Sequence, residues 1–155
     1  MKIISKAVKE TKSIGAKIAK RVKKGDIIFL YGDLGSGKTV LAKGIASGLG
    51  IDQRSIISPT FVLLREYDSD LPLYHFDFYR LRSLKEIIPL GIEEYFYGNG
   101  LSVVEWPDRL GKFIPDEFLK VELKIKGNTI RYLEVQGKGE YYKKLAQQIY
   151  EDIRH

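Results

Sequence analysis

The sequence contains no cysteine. That excludes a disulfide framework, a Cys-ligated zinc site, an iron–sulfur cluster and a thiol nucleophile. It has two histidines, His75 and the terminal His155, too few for a His-built metal centre. No apolar run reaches the ~20 residues that a membrane-crossing helix needs, so no membrane association is expected. The opening residues, MKIISKAVKE, lack the unbroken apolar stretch of a secretory signal. Repeats, linkers and low-complexity segments are also missing. What remains is 155 residues, 44% hydrophobic and 30% charged. That suits one packed core and is too apolar for a disordered chain. The expectation is one soluble, cytoplasmic domain spanning residues 1–155.

Charge is unevenly spread. The formal net charge is +6, and residues 1–24 carry nine basic groups against the single acid Glu10. That segment therefore holds +8 and the remainder −2. It contains no aromatic side chain, whereas a nucleic-acid-binding stripe usually interleaves aromatics with its basic residues. Two readings stand: a solvated helix face, or a docking surface for an acidic partner or an RNA backbone.

Hydrophobic spacing supplies the elements. Val8, Thr11, Ile14, Ile18 and Val22 predict a helix over residues 8–23, ended by Gly25. Ile27–Tyr31 is a short, β-rich apolar run, the pattern of a strand buried on both faces. A glycine-rich turn follows, then a helix over 38–49 with Val40, Leu41, Ile45 and Leu49 in line and a loosened end at Gly48 and Gly50. Residues 61–67 and 73–79 read as a hairpin, residues 83–96 as partly helical with a break at Pro89–Gly91, and 101–105 as another buried strand. Residues 121–125 and 131–135 read as a second hairpin, and 139–153 as a closing amphipathic helix. This order predicts an α/β fold, one domain with a mixed, mostly parallel sheet flanked by helices; with the motif at residues 32–39 it reads as a P-loop NTPase-like domain.

Gly32-Asp-Leu-Gly-Ser-Gly-Lys-Thr39 fits G-x-x-x-x-G-K-[ST], the P-loop. Its context fits as well, with a buried strand before it and a helix after it. Backbone N–H groups of such a loop converge on phosphate oxygens at a helix N-terminus. The candidate nucleotide-binding residues are therefore Asp33, Leu34, Gly35, Ser36, Gly37, Lys38, Thr39 and Val40. Lys38 would meet the β- and γ-phosphates and Thr39 would offer its hydroxyl to Mg2+. Two acids could serve the metal or an attacking water. Glu105 ends a buried strand, where α/β folds place their chemistry. Asp77 shares a strand face with His75, although an ion pair with Arg80 or Arg82 would also explain it. Ser58-Pro59-Thr60 either senses a γ-phosphate, as switch segments do, or simply leads into the next strand. Trp106, the only tryptophan, either fills the core or anchors a partner.

Three function classes are compatible with these residues. The first is a partner-coupled ATPase. The second is a small-molecule kinase, for which Arg54, Arg65, Arg80 and Arg82 are available but no lid segment stands out. The third is an RNA-binding module using the basic first helix. Guanine specificity is disfavoured because no N-K-x-D sequence is present.

Taken together, the P-loop octad, Ser58-Pro-Thr-Phe61, His75-Phe-Asp-Phe-Tyr-Arg80, Gly91-Ile-Glu-Glu-Tyr-Phe96 and Val104-Glu-Trp-Pro107 resemble the TsaE (older name YjeE) family over roughly residues 8–137. Ser36 departs from that family, which usually has alanine there; the change is expected to be harmless. The resemblance implies ATP and Mg2+ binding and slow hydrolysis. It also implies action with TsaB and TsaD, which place threonylcarbamoyl on the adenosine beside the anticodon of ANN-decoding tRNAs, so that tRNA is met only through the complex. By the same resemblance Lys38, Asp77 and Glu105 are catalytic and Thr39 with Glu105 serves the metal. Ser58 and Thr60 belong to a switch segment, and Trp106 belongs to the functional surface. The family pattern T-x-x-x-G falls on Thr11 and Gly15, which implies that Thr11 lies near the nucleotide, with Arg131 reaching it from the late hairpin. Capping by Thr11 and solvation of Arg131 remain open beside these roles.

Overall fold

The computed structural model describes every residue from Met1 to His155. In chain order its elements are β1 (Lys2–Ser5), α1 (Val8–Ala19), β2 (Ile27–Tyr31), α2 (Lys38–Gly48), β3 (Leu64–Tyr67), β4 (Leu73–Asp77), α3 (Ile92–Phe96), β5 (Leu101–Glu105), β6 (Phe118–Ile125), β7 (Arg131–Lys138) and α4 (Glu140–Arg154). The strands form one seven-stranded sheet in the order β1-β7-β6-β2-β5-β4-β3. The fold is the expected mixed α/β domain. Its parallel part is the central set β6-β2-β5-β4, and the three outer pairings, β1–β7, β7–β6 and β4–β3, are antiparallel.

The continuous apolar character of β2 follows from its central place. Ile28 and Leu30 join the core under α1, α2 and α4. Ile27 and Phe29 point the other way, into a smaller core with Phe76, Phe96, Val104 and Phe118. Phe29 and Phe118 stack with ring centroids 4.4 Å apart. Because both faces are covered, β4 has no solvent face either. Tyr74, Phe76 and Phe78 pack into the smaller core, as the alternation suggests, but His75 and Asp77 on the opposite face are buried too.

Helices α1 and α2 cross closely on glycines. A methyl group at Gly15 would lie 2.6 Å from the Leu41 carbonyl oxygen, and one at Gly44 would collide with the Lys12 backbone. Gly48 likewise packs against Ala16 and Ala19 instead of loosening the helix end. This crossing fixes α2, and with it the loop that precedes α2.

Several local expectations shift. The chain begins with a strand that the sequence reading missed, four residues whose single buried isoleucine, Ile3, faces Leu133 of β7. α1 stops at Ala19, short of residue 23, and Val8 is exposed. The strand expected from Phe61 starts only at Leu64, because Val62 and Leu63 both donate to the Pro59 carbonyl and close a turn. Part of the basic stripe has a structural job. Arg21 pairs with Asp152 of α4 at 2.6 Å, and the Lys17 ammonium donates to the Asp152 carbonyl. No helix is long and apolar enough to cross a membrane.

Candidate functional site

The loop between β2 and α2 turns on glycine. Gly37, with φ of 106°, occupies the left-handed region at the N-cap of α2, and no side chain caps that helix end. The free N–H groups there, with no acid in the first turn, suit an anion. Lys38 folds back over the loop. Its ammonium donates to the carbonyls of Gly32 (2.6 Å) and Asp33 (2.9 Å) and lies 4.3 Å from the centre of the Trp106 ring. Burial holds the Lys38 ammonium below the usual lysine range; the charges of Glu105, Asp77, Asp33 and Asp108 oppose that shift.

Strands β4 and β5 bring the two acids together. Asp77 and Glu105 are direct partners in their parallel register, on the face that looks toward α2. Thr39 donates to Glu105 Oε1 at 2.9 Å, with Oε2 at 3.2 Å. His75 Nε2 meets Glu105 Oε2 at 2.6 Å, and neither side chain is open to solvent. Asp77 accepts from the Tyr79 amide and from the Thr60 hydroxyl, each at 2.8 Å, and Thr60 lies 2.7 Å from the Ser58 hydroxyl. Burial pushes the Asp77 carboxyl above the usual aspartate range; the Tyr79 amide bond pulls it down and the Glu105 charge adds to the rise. The ion pair of Asp77 with Arg80 or Arg82, open at the sequence level, does not form. Arg80 lies over the Phe61 ring instead, at 4.3 Å.

Eleven of the sequence-predicted residues line one cleft of about 300 Å³: Leu34, Gly35, Gly37, Lys38, Thr39, Val40, Ser58, Thr60, Asp77, Glu105 and Trp106. Thr11 and Arg131 line a smaller depression beside it, with Gly35, Gly37 and Val40 as the shared wall. The Thr11 hydroxyl is held by Ser5 at 2.7 Å. Arg131, half-buried, donates to the Ser36 and Gly35 carbonyls, tying β7 to the loop. Two predicted loop residues stay out of the cleft. Asp33 opens onto a neighbouring depression beyond Trp106, and Ser36 is buried with its hydroxyl unpartnered.

Trp106 takes a middle course between core filler and free anchor. It is half-buried, packs on Tyr79 at 5.0 Å between ring centroids, and has φ of 58°, rare for a bulky residue. Sequence reasoning missed Tyr79, which lines the cleft, and His75 as the partner of Glu105. Period-two spacing puts His75 and Asp77 on one face, but nothing in the sequence gives the register that sets them against Glu105.

Comparison with known proteins shows the family and the fold. The family model described as "Threonylcarbamoyl adenosine biosynthesis protein TsaE" matches residues 5–133. A tRNA threonylcarbamoyladenosine biosynthesis protein TsaE from Bacillus subtilis is 42% identical over 90% of this chain and 87% of its own. The protein of that name from Treponema pallidum is 37% identical over 87% of this chain and 99% of its own. The crystal structure of Bacillus subtilis YdiB superposes with a TM-score of 0.84 at 37% identity, covering 98% of this chain and 95% of that one.

Proposed function

Because the chain belongs to the TsaE family, we propose that it is a Mg2+-dependent P-loop ATPase that serves threonylcarbamoyladenosine formation on tRNA in the cytoplasm, acting with TsaB and TsaD. The observation that carries the ATPase part is the convergence of Lys38, Thr39 and Glu105 at the mouth of the glycine loop. Mg2+ fits this donor set. It takes oxygen ligands and keeps several waters, so one hydroxyl and one carboxylate beside the phosphates suffice. Thr39 and Glu105 would hold it, and it would neutralise charge building on the β- and γ-phosphate oxygens.

The chain's own residues do the rest. The loop amides and the N-terminus of α2 bind the phosphates. Lys38 leaves the Gly32 and Asp33 carbonyls and stabilises the charge that develops at the γ-phosphate. Asp77, with its carboxyl raised by burial and joined to Thr60, orients the attacking water and accepts its proton. Thr11 and Arg131 flank the nucleoside end. The Ser58–Val62 segment and Trp106 form the partner-facing rim, where Leu34, Ile57 and Phe61 leave 69%, 57% and 80% of their surface exposed. On this reading the chain supplies energy coupling and TsaB with TsaD carries out the transfer.

The test mixes the purified chain with the matching TsaB–TsaD pair. Complex formation is measured with ATP and Mg2+, without nucleotide, and with Lys38→Ala. Nucleotide-dependent association that disappears in Lys38→Ala is the expected result. Absence of association under every condition would remove the partner-coupled reading and leave a phosphotransferase in search of an acceptor.

A further inference from the structure

His75 is not needed to fill space, and its chemistry suits a more specific task. It is fully enclosed, yet only one of its two ring nitrogens is satisfied. Nε2 meets Glu105 at 2.6 Å, while Nδ1 is buried with no hydrogen-bond partner. A buried polar atom without a partner costs about 1–3 kcal/mol. A leucine on this face of β4, beside Leu73 and Val103, would avoid that cost.

The surroundings of Glu105 suggest what the histidine supplies. Glu105 exerts the largest favourable charge effect on Lys38, whose ammonium is buried nearby. Opposite charges on buried side chains attract strongly, so a free Glu105 side chain would swing onto that ammonium. Lys38 would then be neutralised before any phosphate arrived, and the Thr39–Glu105 pair would come apart. The structure shows the other arrangement. Lys38 rests on loop carbonyls, no Lys38–Glu105 ion pair forms, and Glu105 is held from opposite sides by His75 and Thr39.

We propose that His75 is a positioning residue for the metal site: its Nε2–H clamps Glu105 Oε2, keeping the carboxylate beside Thr39 and away from Lys38. This rests on the ATPase reading above. It makes the imidazole a partner standing behind the carboxylate that would hold Mg2+, a place where substitution typically costs about 10–100-fold in metal affinity.

The experiment uses the full chain and its His75→Leu and His75→Gln variants. Each is stripped of metal with EDTA, exchanged into chelator-free buffer, loaded with a non-hydrolysable ATP analogue and then titrated with Mg2+ by calorimetry. His75→Leu should shift the Mg2+ midpoint up by about 10–100-fold and bind the analogue in EDTA no better than the parent. His75→Gln, whose amide can donate from a similar position, should recover most of the midpoint. An unchanged Mg2+ midpoint in a folded His75→Leu chain would overturn the proposal, as would a lowered melting temperature with no change in Mg2+ response. Parent chain that binds no analogue at all would instead overturn the ATPase reading, and the proposal with it. Should His75→Leu fail to fold, the parent still decides the matter. With only two histidines, its imidazole nitrogens can be assigned by NMR. His75 must carry a proton on Nε2, and a neutral ring protonated only on Nδ1 would refute the clamp.

Discussion

Asp77 and Glu105 sit opposite each other in the sheet, but they are held by different parts of the molecule. Both side-chain partners of Glu105 sit on regular elements: His75 on β4 and Thr39 in the first turn of α2. Asp77 is held on one side by the Tyr79 backbone and on the other by Thr60, which belongs to an exposed turn with no strand partner. On the proposed function, the side of the cleft that would hold the metal is thus built in advance, and the side that would hold the attacking water borrows from a segment that a partner could move. A slow ATPase that another protein completes is what such a division would produce.

The comparison breaks most severely if the rigid side loses its charge. Lys38→Ala should lower ATP turnover by about 10²–10³-fold, the scale found when one preorganised charge-stabilising group is removed. Single-turnover kinetics at saturating nucleotide would check it. The borrowed side should be more forgiving. Thr60→Ala removes the bonds of its hydroxyl to Asp77 and Ser58; loss of the Asp77 bond, worth about 1 kcal/mol, is roughly fivefold in turnover for the chain alone. If the segment is a partner-operated switch, the loss should be larger when TsaB and TsaD are present. An equal loss in both settings would mean that the segment is static.

The same division explains what could be read in advance. The glycine loop, Lys38 and Thr39 were legible because their chemistry is local: a strand, a turn and a helix in sequence, with spacing fixed by the backbone. Glu105 was legible as a strand-end acid for the same reason. His75 was not, because its role depends on register between strands 28 residues apart in the chain, which no periodicity encodes. The missing β1 shows another limit. Four residues with a single buried isoleucine carry too little pattern, and only pairing with β7 makes them a strand. The stretch before Leu64 failed differently: Phe61 and Val62 are exposed, so hydrophobicity there does not mark a buried strand.

Asp77 sharpens the contrast through pH. Burial raises its carboxyl above the unfolded value, so the folded state binds the proton more tightly than the unfolded chain does. Its contribution to stability is full below the unfolded aspartate pKa of about 3.9 and is lost as pH rises through the folded value. Asp77→Asn should therefore raise the melting temperature at pH 7 and change it little at pH 3.5, while turnover falls. Thermal melts at the two pH values would test this. A variant that is less stable at both would show that Asp77 is a structural anchor.

The smallest effect lies in the loop itself. Ser36 is completely buried with its hydroxyl unpartnered, packed against Gly32. Removing an unsatisfied buried hydroxyl while keeping the backbone should relieve about 1 kcal/mol, a rise of roughly 2–4 °C in melting temperature for a chain of this size. The Ser36 side chain is outside the cleft, so Ser36→Ala should leave nucleotide affinity within about twofold, well inside the 1.4 kcal/mol that a tenfold change represents. Calorimetry and a thermal melt on one sample would separate the two quantities. A stabilised loop that also bound nucleotide more weakly would mean that the glycine turn must flex to admit phosphate, and the built-in side would then be less rigid than its hydrogen bonds imply.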